Sequence, residues 1–175
     1  MKPTTIKTKR FTLRAYRSAD AASLQRSIND PGIARNTLHI PHPYTLKDAR
    51  DWIRSCQQDR RKKQPLKIAW AIDINGEVAG GVGLHFVRSD HKAEIGYWLG
   101  RKYWGSGFMT EAAKHIIALG FKQLRLKRLY AFTFSWNKAS GRVLEKNGFK
   151  QEGLLRKNVK KGSLYVDTYL WAKVR

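Results

Sequence analysis

The sequence predicts an α+β fold, and three local patterns support this prediction. Two strand-like apolar stretches flank Asn75-Gly76, a dipeptide typical of a tight turn between antiparallel strands. The apolar run 94–99 leads through two glycines into a stretch with helical spacing of apolar residues. Near the amino terminus, residues 10–17 alternate apolar and polar side chains, as a half-buried strand does. Hairpin strands and intervening helices together indicate the α+β class.

The helix boundaries follow from capping signals. Ser18 is a candidate N-cap for a first helix that Pro31-Gly32 would end. Thr45, with Asp48 three residues later, resembles a capping box and predicts the start of a second helix. Residues 31–44 read as a loop with three prolines, which is a candidate wall of an acceptor site. In chain order we expect strand 10–17, helices 19–29 and 45–61, strands 66–74, 78–87 and 91–99, helix 106–120, strand 128–134, helix 137–146 with Gly148 as its C-cap, and strands near 149–155 and 164–174.

The composition indicates one compact domain spanning residues 1–175. Of the 175 residues 42% are hydrophobic and six are tryptophan, enough for one large core. No apolar run approaches the roughly 18–20 residues of a membrane span, and the first twenty residues are too charged for a signal peptide. We therefore expect a cytoplasmic protein that does not associate with membranes.

Cys56 lies on an apolar helix face, and this position predicts a core-filling role. The five histidines form no i, i+4 pair and have no cysteine partner, so we predict no metal site.

Residues 102–112 carry the clearest functional signal. Gly105 and Gly107 stand between an apolar strand and a helix, so unpaired N–H groups of the first helical turn face outward with the positive end of the helix dipole behind them. A pyrophosphate would satisfy both features, and Arg101 and Lys102 add positive charge. The alternative is an ordinary strand-to-helix turn. The spacing excludes a P-loop and a three-glycine dinucleotide fingerprint.

Two stretches of the chain resemble the GNAT acetyltransferase superfamily. Residues 93–112 are similar to its acetyl-CoA motif, Q/R-x-x-G-x-G/A, with Lys102 where glutamine or arginine is usual. Residues 137–149 are similar to its N-x-x-S-x-x-[VL]-x-x-K-x-G-F helix. Together with residues 8–14, they resemble the branch of ribosomal-protein amino-terminal acetyltransferases of the RimJ and RimL type.

The resemblance implies a fold, a cofactor and a set of binding residues. The implied fold is a mixed, mostly antiparallel sheet flanked by helices, whose fourth and fifth strands splay apart to admit acetyl-CoA. Asn137 is expected to bond the pantetheine arm, although an asparagine there is also a plain N-cap. The residues expected to bind the cofactor are Tyr97, Trp98, Leu99, Lys102, Gly105, Ser106, Gly107, Phe108, Met109, Thr110, Asn137 and Ser140.

Two residues are candidates for the chemistry of amine attack on a thioester. The amine must be neutral, and the leaving thiolate must be protonated. Glu94, on the strand that enters the glycine turn, is the candidate base, directly or through water; the alternative is a surface or salt-bridged glutamate. Ser140 is the candidate partner of the sulfur or the proton donor; the alternative is a first-turn helix serine.

The charge bears on the acceptor. With 35 lysines and arginines against 13 acidic residues, the net charge of +22 favours an acidic partner and repels polyamines. We therefore predict acetylation of a primary amine, with a protein N-terminal α-amine as the first candidate, on an acidic molecule or in an RNA-rich setting such as a ribosome. An acetyltransferase for a small-molecule amine, and an inactive RNA-binding or scaffold module of the same fold, are the alternatives. Both a monomer and a homodimer stay open.

Overall fold

The computed structural model describes residues 4–86 and 91–175. Within these residues one eight-stranded sheet carries helices on both faces. Its strands are β1 (Ile6–Lys7), β2 (Thr12–Arg14), β3 (Lys67–Ile74), β4 (Glu77–Phe86), β5 (Lys92–Leu99), β6 (Arg128–Phe134), β7 (Lys150–Lys161) and β8 (Leu164–Val174). The helices are α1 (Ala21–Ile28), α2 (Pro31–Arg35), α3 (Leu46–Arg61), α4 (Phe108–Lys122) and α5 (Lys138–Lys146), with short 3-10 turns at Ser18–Asp20 and Arg101–Tyr103. None of these described helices has both the length and the apolar character needed to cross a membrane.

The sheet opens between β5 and β6. The strand order is β1-β2-β3-β4-β5-β6-β8-β7, and every neighbouring pair is antiparallel except β5 and β6, which are parallel. Their pairing stops at Glu94 and Tyr130, so residues 95–99 have no partner strand on that side. This confirms the predicted mixed, mostly antiparallel sheet with a splay. The short β1 precedes the predicted first strand, so the strands predicted as fourth and fifth are β5 and β6.

Each face of the sheet buries its own apolar cluster. On one face Trp70, Leu84 and Ile95 pack with Ile116 of α4. On the other, Ala71 and Val78 pack with side chains of α1, α2 and α3. Cys56 packs at the edge of this second cluster, where burial raises the pKa of its thiol to about 12. A protonated thiol suits the predicted role as core filler.

The local signals in the middle of the chain are confirmed. Asn75 and Gly76 take positive φ angles of 54° and 85° and connect β3 to β4. The Thr45 hydroxyl accepts from the Asp48 N–H while the Asp48 carboxylate accepts from the Thr45 N–H, so the capping box forms. Residue 87, the predicted end of β4, lies outside the described residues.

Three predicted boundaries are wrong. Ser18 is not the N-cap; the Asp20 carboxylate accepts from the Arg17 N–H and organises a 3-10 turn instead. Pro31 begins a helix, because the Asp30 side chain accepts from the N–H groups of Gly32 and Ile33, and proline suits the first helical position. The segment 31–44 is therefore not a loop throughout. At the other end of the chain, β7 continues to Lys161 because it pairs with β8 along its length.

Removal of one partner from the buried ion pairs of Arg14 is expected to lower the stability of the fold strongly. Arg14, which is 4% exposed, donates from its guanidinium to the Asp20 carboxylate at 2.7 and 2.9 Å and to Asp73 at 2.5 Å. Asp20→Ala leaves this charge poorly compensated and is expected to cost about 3–5 kcal/mol in the free energy of unfolding, measured by urea titration. The control is Asp51→Ala in α3, whose pairs with Lys47 and Arg54 are exposed, and whose urea midpoint should stay near that of the parent. Equal midpoints for the two variants would contradict the network's importance.

Candidate active site

The glycine turn forms an open cradle at the start of α4. Gly105 and Gly107 have φ angles of 74° and 77°, which side chains rarely adopt, and Gly107 is the N-cap of α4. A Cβ atom at Gly105 would meet nothing within 4 Å, and one at Gly107 would meet only Arg10 Nη1 at 3.8 Å. The first intrahelical bond runs from the Glu111 N–H to the Gly107 carbonyl, so the three preceding N–H groups of the helix have no helical acceptor. The space and the donors suit a phosphate group.

Arg10 reaches this cradle from the amino-terminal segment. Its Nη2 donates to the Ser106 carbonyl at 2.7 Å, and Nη1 lies 3.4 Å from the Glu111 carboxylate. Its guanidinium carbon stacks 3.8 Å from the centre of the Phe108 ring. Arg10 therefore holds the turn through the Ser106 carbonyl and places positive charge beside it. Sequence analysis missed this residue because no local pattern links it to a helix about one hundred positions away.

Tyr97 and Ser140 meet across the splay. The Tyr97 hydroxyl lies 2.9 Å from Ser140 Oγ, where either can donate, and it also donates to the Ser140 carbonyl at 3.1 Å. Burial raises the pKa of Tyr97 well above its ordinary value, so its hydroxyl stays protonated at neutral pH. Asn137 Oδ1 accepts from the Ser140 N–H at 3.1 Å, so Asn137 is the N-cap of α5. The cap occupies the amide oxygen of Asn137 and leaves its amino group for other contacts.

Glu94 lies where β5 and β6 separate, on the other face of the sheet from α4. Ile95 and Tyr97 pack towards the α4 cluster, whereas Trp98 packs against the cluster of α1, α2 and α3. Because side chains alternate along a strand, Glu94 shares the face of Trp98. Partial burial raises the pKa of the Glu94 carboxyl. The candidate base and the Tyr97–Ser140 pair thus occupy opposite faces of the opening.

The remaining residues expected to bind the cofactor differ in what they can offer. Met109 is buried, so only its backbone is available at the cradle. The Leu99 carbonyl accepts from Trp104 Nε1 at 2.7 Å, and the Thr110 carbonyl accepts from Asn147 Nδ2. Lys102 is exposed, with its ammonium 4.9 Å from the centre of the Tyr103 ring.

The arrangement provides an anion cradle at one end of β5 and an opening through the sheet. The cradle's free N–H groups could hold a pyrophosphate, and the unpaired edge of residues 95–99 could align an extended arm. That arm would end between Glu94 on one face and Ser140 on the other. The geometry therefore suits a long thioester cofactor that enters from the α4 side and meets an amine from the other face.

The chain is similar to known acetyltransferases. The model of the acetyltransferase (GNAT) domain matches residues 10–150. The uncharacterized N-acetyltransferase p20 of Bacillus licheniformis is 32% identical over 173 residues, covering 98% of this chain and 96% of its own.

Two solved structures share the fold. A GNAT-family acetyltransferase from Bacillus anthracis superposes with a TM-score of 0.84 at 25% identity, covering 98% of both chains. RimL, a ribosomal L7/L12 α-N-protein acetyltransferase solved with coenzyme A, superposes with a TM-score of 0.88 at 18% identity and also covers 98% of both chains. The family match, the relative and the shared fold lead to one conclusion: the chain belongs to the GNAT acetyltransferase family and is an N-acetyltransferase.

Proposed function

We propose that this enzyme acetylates the α-amino group of a protein, with the amine attacking the thioester directly. The acetyl donor is acetyl-CoA, whose thioester supplies an activated acetyl carbonyl. The observation that supports the proposal most strongly is the end of β5–β6 pairing at Glu94. It leaves a carboxylate on one face of the opening and the Tyr97–Ser140 hydroxyl pair on the other.

The residues around the glycine turn hold the donor in this proposal. The N–H groups of the first turn of α4, with Gly105, Ser106 and Gly107, bind the pyrophosphate, and Lys102 adds charge at the rim. Arg10 keeps the turn in its open shape through the Ser106 carbonyl. Asn137 and the edge of Tyr97, Trp98 and Leu99 contact the pantetheine arm.

Glu94 is the proposed base. It accepts a proton from the acceptor ammonium, directly or through water, so that the neutral amine can attack the acetyl carbonyl. An α-amine with a pKa near 7.7–8.0 is already about a tenth neutral at pH 7, whereas a lysine amine near 10.4 is neutral in less than about one part in a thousand. A single half-buried carboxylate therefore suits an α-amine better than a lysine side chain.

Ser140 is the proposed acid. Its hydroxyl delivers a proton to the sulfur as the carbon–sulfur bond breaks. It then recovers a proton from solvent, which takes up the proton that the nitrogen loses as the amide forms. The Tyr97 hydroxyl, 2.9 Å away, fixes the Ser140 side chain and is a neutral hydrogen-bonding partner. Tyr97 is thus a positioning residue.

The net charge of +22 narrows the acceptor to a protein that is acidic or that rests on RNA. A polyamine or a free basic protein is repelled at long range, whereas carboxylates or phosphates on or near the acceptor attract the enzyme. This attraction should weaken as salt is added.

The test compares two peptides of the same length, one with a free amino terminus and no lysine, the other with a blocked terminus and an internal lysine. With radiolabelled acetyl-CoA we expect the label on the free α-amine, at a rate at least about a hundredfold above that of the lysine peptide at pH 7. Spermidine serves as the small-molecule comparison.

Two results would contradict the proposal. Preferential labelling of spermidine would favour a small-molecule acetyltransferase. Tight acetyl-CoA binding with no transfer to peptides, spermidine or proteins of a fractionated lysate would favour an inactive scaffold.

A further inference from the structure

A groove lies between the segment after α2 and the β7–β8 hairpin. Its volume is about 370 Å³, and it is lined by apolar Leu38 and Ile40 and by basic Arg35, His39, His42 and Lys161. None of the described residues that line it is acidic. A groove of this size admits a few side chains of an extended peptide.

Lys161 joins the two walls of the groove. Its ammonium donates to the Thr37 carbonyl at 2.6 Å, so the hairpin is attached to the segment after α2. The same ammonium lies 5.7 Å from the centre of the Phe134 ring at the end of β6. This wall of the groove therefore borders the β6 side of the sheet opening.

The opposite wall lies over the face of the sheet that carries Glu94. His85 of β4 is directly across from Glu94 of β5 in the strand register. Partial burial lowers the pKa of His85, as do the neighbouring charges of Lys67 and His39. Ile40, in the lining of the groove, packs against the same cluster as Trp98, so the groove lies over the sheet face that Glu94 shares, where an acceptor amine would sit.

We propose that this groove binds carboxylate side chains that follow the amino-terminal residue of the acceptor protein. The inference rests on the proposed function, because an α-amine at Glu94 directs the next residues of its chain along this face. An extended chain advances about 3.3–3.6 Å per residue, so positions two to four extend about 10 Å beyond the amine, and we assign these positions to the groove. The basic lining attracts carboxylates and disfavours lysine and arginine at these positions.

An acidic peptide fits the groove better than RNA does. The groove has two walls and room for a few side chains, whereas a nucleic acid would follow exposed charges such as Lys157 and Lys160 on the outside of the hairpin. Of the two acceptors that the net charge leaves open, an acidic protein and a protein that rests on RNA, the basic groove therefore favours the acidic protein.

The test measures binding separately from catalysis. The probe is a fluorescent peptide with a blocked amino terminus and Asp-Glu-Asp at positions two to four, titrated by anisotropy at constant ionic strength. Arg35→Glu places a negative charge in the groove, and we expect it to weaken binding about tenfold. Arg50→Glu, an exposed charge reversal on α3, is the matched control and should change the dissociation constant less than about threefold.

Catalysis gives the second readout. With free-terminus peptides Ala-Asp-Glu-Asp and Ala-Gln-Gln-Gln, the parent should show a kcat/KM about tenfold higher for the acidic peptide, and Arg35→Glu should lose this preference.

If the blocked acidic peptide binds as expected but neither free peptide is acetylated, the α-amine proposal fails and the groove proposal stands. If both peptides are acetylated equally, the groove proposal fails alone. Two further results would overturn the groove proposal. One is an equal effect of Arg35→Glu and Arg50→Glu on peptide binding. The other is displacement of the probe by an RNA oligonucleotide to the same extent in the parent and in Arg35→Glu.

Discussion

Gly107→Val is expected to abolish acetyl-CoA binding without unfolding the protein. A Cβ atom at Gly107 would point into the open cradle, where its nearest protein neighbour is Arg10 Nη1 at 3.8 Å. The valine side chain would therefore occupy the space in which the free N–H groups of α4 meet the pyrophosphate. We expect a loss of affinity of about 100-fold or more, equivalent to about 2.7 kcal/mol, measured by isothermal titration calorimetry.

The control separates blocked binding from backbone strain. Gly107 has a φ of 77°, so valine there also costs conformational energy. Gly76 in the β3–β4 hairpin has a φ of 85° with nothing within 4 Å of its Cβ position. Gly76→Val should therefore show a comparable drop in thermal stability and unchanged acetyl-CoA affinity. A folded Gly107→Val protein that binds acetyl-CoA like the parent would show that the cradle assignment is wrong.

Glu94→Gln is expected to lower kcat by about 10²–10⁴-fold, the contribution typical of a general base. The KM for acetyl-CoA should stay near that of the parent, because Glu94 lies on the face of the sheet opposite α4. Glutamine keeps the size and polarity of the side chain but cannot accept the proton. An unchanged kcat on the true acceptor would show that Glu94 is not the base and has only a structural role.

The pH dependence of Glu94 gives an independent measurement. Burial raises the pKa of this carboxyl, so the acid limb of kcat should lie above the ordinary range of a glutamate and disappear in Glu94→Gln. A raised pKa also means that the folded state favours the neutral carboxyl. Its stabilising effect is present below the unfolded-state pKa and is lost as the pH rises through the folded-state pKa. Glu94→Gln should therefore be the more stable protein at neutral pH and above.

Ser140→Ala tests the acid in the same assay. The N-cap of α5 uses the Ser140 backbone N–H, so alanine preserves it and the fold should be unaffected. We expect kcat to fall while the dissociation constant of acetyl-CoA changes little, since the proton is delivered only as the carbon–sulfur bond breaks. A loss confined to acetyl-CoA affinity would instead make Ser140 a cofactor contact.

Features that depend on neighbouring residues were predictable from the sequence. The Asn75-Gly76 turn and the Thr45–Asp48 capping box each form within a few residues, where side-chain chemistry limits the backbone directly. The glycine turn before α4 is also local, because two residues with positive φ angles are needed to redirect the chain. The boundary error at Pro31 arose because Asp30 and Pro31, where the first helix was expected to give way to a loop, instead cap and begin a second helix.

The sequence alone thus determined the α+β class, the glycine turn and, through family resemblance, the acetyltransferase reaction. Only the tertiary structure decided that Arg10 supports the turn, that Tyr97 holds Ser140 and that Lys161 closes a groove on the Glu94 face. These contacts join residues 43 to 124 positions apart. Their geometry depends on strand order, on the register at which β5 and β6 separate and on which face each side chain occupies. Packing of the whole chain fixes those variables, and no short pattern of residues encodes them.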